Sequence, residues 1–247
     1  MAKKLTGKVA LVTGGSRGLG AAIAKRLAED DAAVALTYTS SPQKADEVVR
    51  AIESAGGRAL AIRADSADVE AVKNAVAETV KAFGRLDILV NNAGIATIAP
   101  IDQFSLEDFD RLVAVNIKGV FVATQEAIRH MGEGGRIINI GSVNSDLMPV
   151  AGGSVYALTK GAIASFTRGL ARDLGPRGIT VNNIQPGPVD TDMNPADGPL
   201  ADSIKGMIAL QRYGHSDEIA GMVSYLASAE AGFVTGASLK IDGGFTA

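Results

Sequence analysis

The 247-residue sequence contains no cysteine, which excludes disulfides, thiolate nucleophiles and cysteine-bound zinc together. Any redox chemistry therefore needs a cofactor. Histidine is nearly absent. His130 and His215 lie far apart with no metal-ligand spacing and read as solvated or capping residues, so no metal site is expected. Positive charge is not in excess: 24 basic residues face 27 acidic ones, and the net charge of −3 gives no general field to hold nucleic acid or an anionic membrane. No apolar run reaches the ~18 residues of a membrane span. The start, Met1–Gly7, has no apolar leader core, so a cytoplasmic protein is expected. No low-complexity run or Ser/Pro-rich linker divides the chain, and its length favours one domain over residues 1–247.

What is present is an alternation of short β-branched runs with longer segments of helical period, the pattern of a parallel sheet covered by helices on both faces. The runs predict seven strands, at Val9–Thr13, Val34–Tyr38, Ala59–Ala64, Asp87–Asn91, Arg136–Ile140, Thr180–Ile184 and Ser238–Ile241. Helices are expected over Gly18–Asp30, Pro42–Ala55, Val69–Phe83, Leu106–Met131, Val155–Leu174 and Ser216–Ala227, each long enough to cross between parallel strands. The stretch 186–206 carries four prolines and weak periodicity and reads as a loop or lid over a site.

The first strand runs into Gly14-Gly15-Ser16-Arg17-Gly18-Leu19-Gly20 and then into a helix. Glycines let the backbone turn sharply and approach a pyrophosphate, and the free amides of the helix start supply the anion site. A glycine run alone is weak evidence. Its strand-to-helix context makes this a dinucleotide loop and the fold a Rossmann-type, doubly wound α/β fold. In NAD-specific proteins an acid at the end of the second strand binds the ribose 2′-hydroxyl and repels a 2′-phosphate. Here Tyr38-Thr39-Ser40 stands there, with no carboxylate, while Arg17 offers a cation and Thr39 and Ser40 offer hydroxyls. NADP(H) is therefore the expected cofactor. A solvated loop arginine remains the alternative for Arg17, and an ordinary strand aromatic the alternative for Tyr38.

Tyr156 and Lys160, four apart, share a helix face, where an ammonium can act on a phenol whose ordinary pKa of ~10 makes it a poor base. The ammonium, helped by the positive charge of an oxidised nicotinamide, is expected to lower that value. Most Tyr-x-x-x-Lys pairs are merely solvated helix faces, so the chemical reading depends on the setting. Ser142 ends the fifth strand, at the sheet edge where ligands bind in open parallel sheets. Asn116, within Val115–Gly119, is awkward in an apolar helix and reads as a kink or a satisfied core amide.

The glycine loop, Asn91-Asn92-Ala93-Gly94, Asn116, Ser142, Tyr-x-x-x-Lys at Tyr156 and Lys160, and Pro186-Gly187 occur in one order over nearly the whole chain, and this set resembles the short-chain dehydrogenase/reductase family. The resemblance implies a catalytic group of Asn116, Ser142, Tyr156 and Lys160, with Asn116 holding a water that links Lys160 to solvent. It also implies a cofactor site bordered by Gly14, Ser16, Arg17, Gly18, Leu19 and Gly20. Asp65 and Ser66 would border the adenine and Asn92 the adjacent ribose. Ala93, Gly94, Pro186, Gly187, Val189 and Thr191 would follow toward the nicotinamide, with Tyr156 and Lys160 also touching the cofactor. A homotetramer is implied as well, with helices 106–131 and 155–174 forming one interface and the C-terminal segment another.

The function expected is reversible, NADPH-dependent reduction of a small ketone, diketone or aldehyde. One alternative is 3-oxoacyl-carrier-protein reduction. Its acidic carrier is disfavoured by Glu133 in His130–Arg136, where a docking cation would stand, with Arg177 as the one nearby cation. The other alternative is a ligand sensor. The segments 142–150 and 186–192 resemble a bacterial branch linked with biofilm dispersal and cyclic-dinucleotide binding. The loop from Ser142 to Tyr156, with Asn144, Met148, Pro149 and Val150, is the expected substrate wall.

Overall fold

A computed structural model describes residues 3–247. Its centre is one seven-stranded sheet, all parallel, in the order β3-β2-β1-β4-β5-β6-β7. The strands are β1 Val9–Val12, β2 Ala33–Tyr38, β3 Arg58–Arg63, β4 Ile88–Asn91, β5 Arg136–Ile140, β6 Thr180–Pro186 and β7 Ser238–Ile241. They match the expected seven to within one or two residues at their ends. The inner strands β1, β4 and β5 are buried along their whole length, as apolar runs without alternation require when both faces are covered.

Two cores lie on opposite faces. One packs α1 (Gly18–Glu29), α2 (Pro42–Ser54) and α8 (Ser216–Ala227) against the sheet through Ile23, Leu27, Val48, Ile52, Ile219 and Val223. The other packs α3 (Val69–Phe83), α5 (Val120–Ala127) and α6 (Ser154–Leu174) through Val72, Val76, Val122, Ala127, Leu170 and Leu174. The chain winds outward from β1 to β3, then returns to place β4 on the other side of β1. The resulting crevice at the carboxyl ends of β1 and β4 is the switch point where doubly wound sheets bind ligands.

Two expectations need correction. The segment read as one helix from Leu106 to Met131 consists of α4 (Leu106–Val113), a π-helical stretch at Ala114–Gly119, and α5, which ends at Ala127. The wider turn follows from Asn116, whose side-chain amide bonds to the Ile95 backbone, and from Gly119, where a Cβ would overlap the Ser66 carbonyl. Residues 186–206 are also more than a loop, since α7 (Ala201–Met207) begins within them and buries Ala201 with Ile208 and Tyr213.

A polar row crosses the sheet beneath the crevice. Asn91, Asn139 and Asn183 are in register on β4, β5 and β6. The Asn91 amide donates to Asn139 (2.9 Å) and to Thr124 (3.2 Å), and the Asn139 amide donates to Thr167 on α6 (2.9 Å). A polar group so buried destabilises the fold unless it is paired, and in this row the Asn183 Oδ1 finds no partner among the described residues. Asn139→Ala is expected to cost about 2 kcal/mol by taking one buried partner each from the Asn91 amide, left with Thr124, and the Thr167 hydroxyl, left with the Ile163 carbonyl. Thermal unfolding should show a Tm several degrees lower, and an unchanged Tm would mean the row carries no weight.

Candidate active site

The glycine loop leaves β1 and is pinned to the end of β4 by Thr13. Its hydroxyl accepts the N–H groups of Asn92 (3.0 Å) and Ala93 (3.1 Å), and the Asn92 amide donates back to the carbonyls of Thr13 (2.9 Å) and Gly14 (3.0 Å). On the other side the Gly14 N–H donates to the Thr37 hydroxyl of β2 at 3.0 Å. Gly18 opens α1 with φ of 51°, and Gly20 lies so close to the loop that a Cβ would overlap the Gly14 oxygen. Ser16 and Leu19 are half-buried, whereas Arg17 is exposed. The Asn92 Nδ2 is thus committed to the loop itself. Thr13 and Thr37 had no assigned part in the sequence reading, and only the threonine before the first glycine gave any hint.

At the end of β2 the Tyr38 side chain packs against the apolar core, which is the ordinary strand-aromatic outcome, while Thr39 and Ser40 are exposed. Asp65 follows β3 with Ser66 beside it. Burial pushes the Asp65 carboxyl up, but the Ala67 N–H and the Arg111 guanidinium outweigh it and hold the pKa below the usual carboxylate value. Arg111 reaches both carboxylate oxygens from α4, at 3.0 and 3.2 Å. This pair joins positions too far apart in sequence to be read from it.

Ser142, Tyr156, Lys160 and Asn116 gather across the crevice. Ser142 leaves β5 and sits at the N-terminal end of a short turn, its hydroxyl donating to Asn144 Oδ1 (2.8 Å) and accepting the Asn144 N–H (3.1 Å). Lys160 is buried in α6, with Nζ 5.7 Å from the centre of the Tyr156 ring and donating to the Ile140 carbonyl at 3.0 Å. A Cβ on Gly94 would lie 3.5 Å from Asn116 Oδ1 and 3.6 Å from Lys160 Nζ, so three sequence-distant motifs converge there. The Asn116 amide is satisfied by protein: Oδ1 accepts the Ile95 N–H, and Nδ2 donates to the Ile95 carbonyl and to Thr159. Of its two residue-level readings, the satisfied amide at a kink describes it.

The electrostatics correct one expectation. Burial lowers the Lys160 pKa from 10.5 to about 8. The Tyr156 phenol is raised rather than lowered, because burial outweighs the opposing influence of the Ser142 hydroxyl. In the protein by itself the pair is a protonated phenol beside a weakened ammonium.

At the end of β6, Pro186 is buried, and the following Gly187 touches the Asp242 backbone so closely that a Cβ would clash. Val189 pairs with Gly214 and is buried, which turns the chain back toward the glycine loop. The methyl of Thr191 then lies 3.7 Å from where a Gly18 Cβ would stand. Asp192, next along, faces Arg17 and Lys44. Among the described residues no group of three or more His, Cys, Asp or Glu is placed to hold a metal, and no helix is long and apolar enough to cross a membrane.

Comparison with known proteins agrees with this geometry. A family model described as enoyl-(acyl carrier protein) reductase matches residues 14–246. The cyclic-di-GMP-binding biofilm dispersal mediator protein of Escherichia coli is 50% identical over 242 residues, covering 98% of each chain. A short-chain dehydrogenase/reductase of Serratia marcescens is 58% identical, with a TM-score of 0.97 over 99% of this chain and 100% of that one. A short-chain dehydrogenase of Burkholderia cenocepacia, solved in complex with NADP, is 55% identical, with a TM-score of 0.97 and the same coverage. With the ordered motifs, the parallel sheet and these full-length matches in agreement, the chain belongs to the short-chain dehydrogenase/reductase family.

Proposed function

We propose that the protein is an NADP(H)-dependent reductase of small ketones, diketones or aldehydes, reversible in principle, with residues 1–247 acting as one cofactor-binding and catalytic unit. The observation that carries this reading is the convergence of Ser142, Tyr156 and Lys160 beside a glycine loop whose close approaches leave room only for backbone. The residues fit the cofactor: glycine-lined amides open α1, and no acid stands at the end of β2. A bound NADP in the Burkholderia relative agrees. The cofactor supplies hydride.

This chain's own residues handle the oxygen of the substrate. Tyr156 Oη donates its proton to the carbonyl oxygen as hydride reaches carbon, and the burial that raises the phenol keeps that proton in place for the reductive direction. Ser142 gives the same oxygen a second hydrogen bond, after turning its hydroxyl from Asn144. The Asn144 amide in turn contacts Met148 sulfur at 3.2 Å, which ties the proposed substrate wall to Ser142. A homotetramer through the outer faces of α4, α5 and α6 fits the exposed Leu106, Phe121 and Leu158 there.

Two other readings keep an observation each. The 50% identical relative named for cyclic-di-GMP binding favours a sensor, but a sensor has no need of a phenol set beside a buried lysine. Carrier-protein reduction is disfavoured because Arg177 is used in donating to the Ile128 and Met131 carbonyls, while Arg129 and His130 face Glu126. The test is NADPH oxidation with ketones, diketones, aldehydes, 3-oxoacyl and enoyl thioesters, and a 3-oxoacyl carrier protein, with cyclic-di-GMP added as competitor. Turnover is expected to be best with a free carbonyl compound. A carrier-bound substrate tenfold better in kcat/KM, and falling steeply with salt, would replace this reading.

Tyr156→Phe is expected to cut turnover by ~100-fold or more while NADPH binding stays within a few-fold. Wild-type turnover in that variant would end the mechanism. Lys160 has a separate signature in stability. Its folded pKa of about 8 lies below the ordinary 10.5. The unfolded chain therefore binds more protons between these values, and burial of the ammonium destabilises the fold fully below pH 8 and less as pH rises toward 10.5. Lys160→Met should abolish turnover yet raise Tm, and the gain should be larger at pH 7 than at pH 9.5. A pH-independent or negative change would show that the ammonium is not held against its solvation.

A further inference from the structure

The cations nearest the proposed 2′-phosphate position are not those of the glycine loop alone. Arg17 Nη1 lies 3.9 Å and Lys44 Nζ 3.1 Å from the same oxygen, Oδ2 of Asp192. Arg17 sits in the loop before α1, Lys44 is the third residue of α2, and Asp192 stands on the strap that follows β6. Two cations that reach one oxygen atom can also reach two oxygens of one phosphate. They meet just beyond Tyr38-Thr39-Ser40, at the end of β2 where doubly wound folds hold the adenosine ribose. The start of α2 adds its unpaired N–H groups, since no side chain caps it.

The three side chains are half-exposed or more, so each ion pair among them is weak and readily exchanged. Asp192 carries one negative charge, while a phosphomonoester carries nearly two and offers three strong acceptors. Resting on the NADP(H) reading above, we propose that Lys44 reads the 2′-phosphate together with Arg17, and that Asp192 is an internal anion which this phosphate displaces. Asp192 thereby sets how strongly NADP(H) is preferred and links phosphate binding to release of the strap. Thr191 packs on Gly18 one residue away, so movement of Asp192 is felt at the mouth of the dinucleotide groove.

The experiment measures equilibrium binding of NADPH and NADH, and of 2′,5′-ADP against 5′-AMP, by calorimetry at low salt. Lys44→Gln is expected to weaken NADPH and 2′,5′-ADP about tenfold and to leave NADH and 5′-AMP within twofold, with Lys44→Arg restoring the preference. Arg17→Gln should act in the same sense. Asp192→Asn is expected to strengthen NADPH and 2′,5′-ADP about threefold without affecting NADH, and to lose that effect when Lys44 is already Gln. Equal weakening of both cofactors by Lys44→Gln, or no change in either, overturns the role of Lys44. Weaker NADPH binding in Asp192→Asn overturns the displacement and makes Asp192 a clasp over the bound cofactor. A wild-type protein that does not prefer NADPH would fail the cofactor reading itself, whereas one that prefers it while Lys44→Gln keeps that preference fails this proposal alone.

Discussion

The site depends on one seam, the hydrogen bonds that tie the end of β1 to the end of β4. At a topological switch point the two strands diverge into separate crossovers, and nothing in the ladder itself fixes the loops that leave them. Thr13 and Asn92 supply that fixation with donors and acceptors matched on both sides. The consequence is geometric. The seam holds the loop down where Gly20 and Gly14 approach so closely, with Ala93 packed against Gly14 and Gly94 facing Asn116 and Lys160. The seam thus sets the distance between the glycine-loop half of the crevice and the half that holds Ser142, Tyr156 and Lys160.

On the second half, the controlling fact is a buried ammonium with no carboxylate partner among the described residues. Lys160 bonds to a backbone carbonyl and stands near the Tyr156 ring, and the fold accepts the desolvation that lowers its pKa. A carboxylate in the same place would have paired the charge and fixed it as structure. Left with a carbonyl dipole, the ammonium is not neutralised by its partner and stands beside the Tyr156 ring. The surrounding polar groups serve to hold α6 in register: Thr167 accepts from Asn139, and Thr159 accepts from Asn116.

Much of the fold was legible because parallel strands covered on both faces read as unbroken apolar runs, and the crossover helices have clear periodicity. The seven strands and the glycine loop followed from that. The break within 106–131 was not legible as a boundary, because a π-helical turn keeps the apolar pattern almost intact and shows itself only through Asn116 and Gly119. Helix α7 was hidden for the opposite reason: its short amphipathic face lies in a proline-containing segment too brief for periodicity. The members of the candidate site could be named by resemblance and order, but their electrical state could not. Whether a phenol beside a lysine is raised or lowered depends on burial, which the spacing of Tyr156 and Lys160 does not encode.

That difference explains why amides and hydroxyls were harder to read than the tyrosine. Asn92, Asn116 and Asn139 are equally polar in sequence, yet Asn116 and Asn139 use both amide atoms on neighbouring loop, strand and helix, and Asn92 uses its Nδ2 on the glycine loop. A polar residue becomes available to a ligand only where the fold leaves some of its hydrogen-bonding capacity uncommitted or weakly held. Ser142 meets that condition, because its partner Asn144 lies two residues away on an irregular turn and can release it without disturbing the sheet. Arg17 and Lys44 meet it too, since the carboxylate between them is exposed and borne on a strap outside the core. The loosely held polar contacts thus lie around the crevice, while beneath it Asn91, Asn139 and Thr167 are tied to one another across sheet and helix.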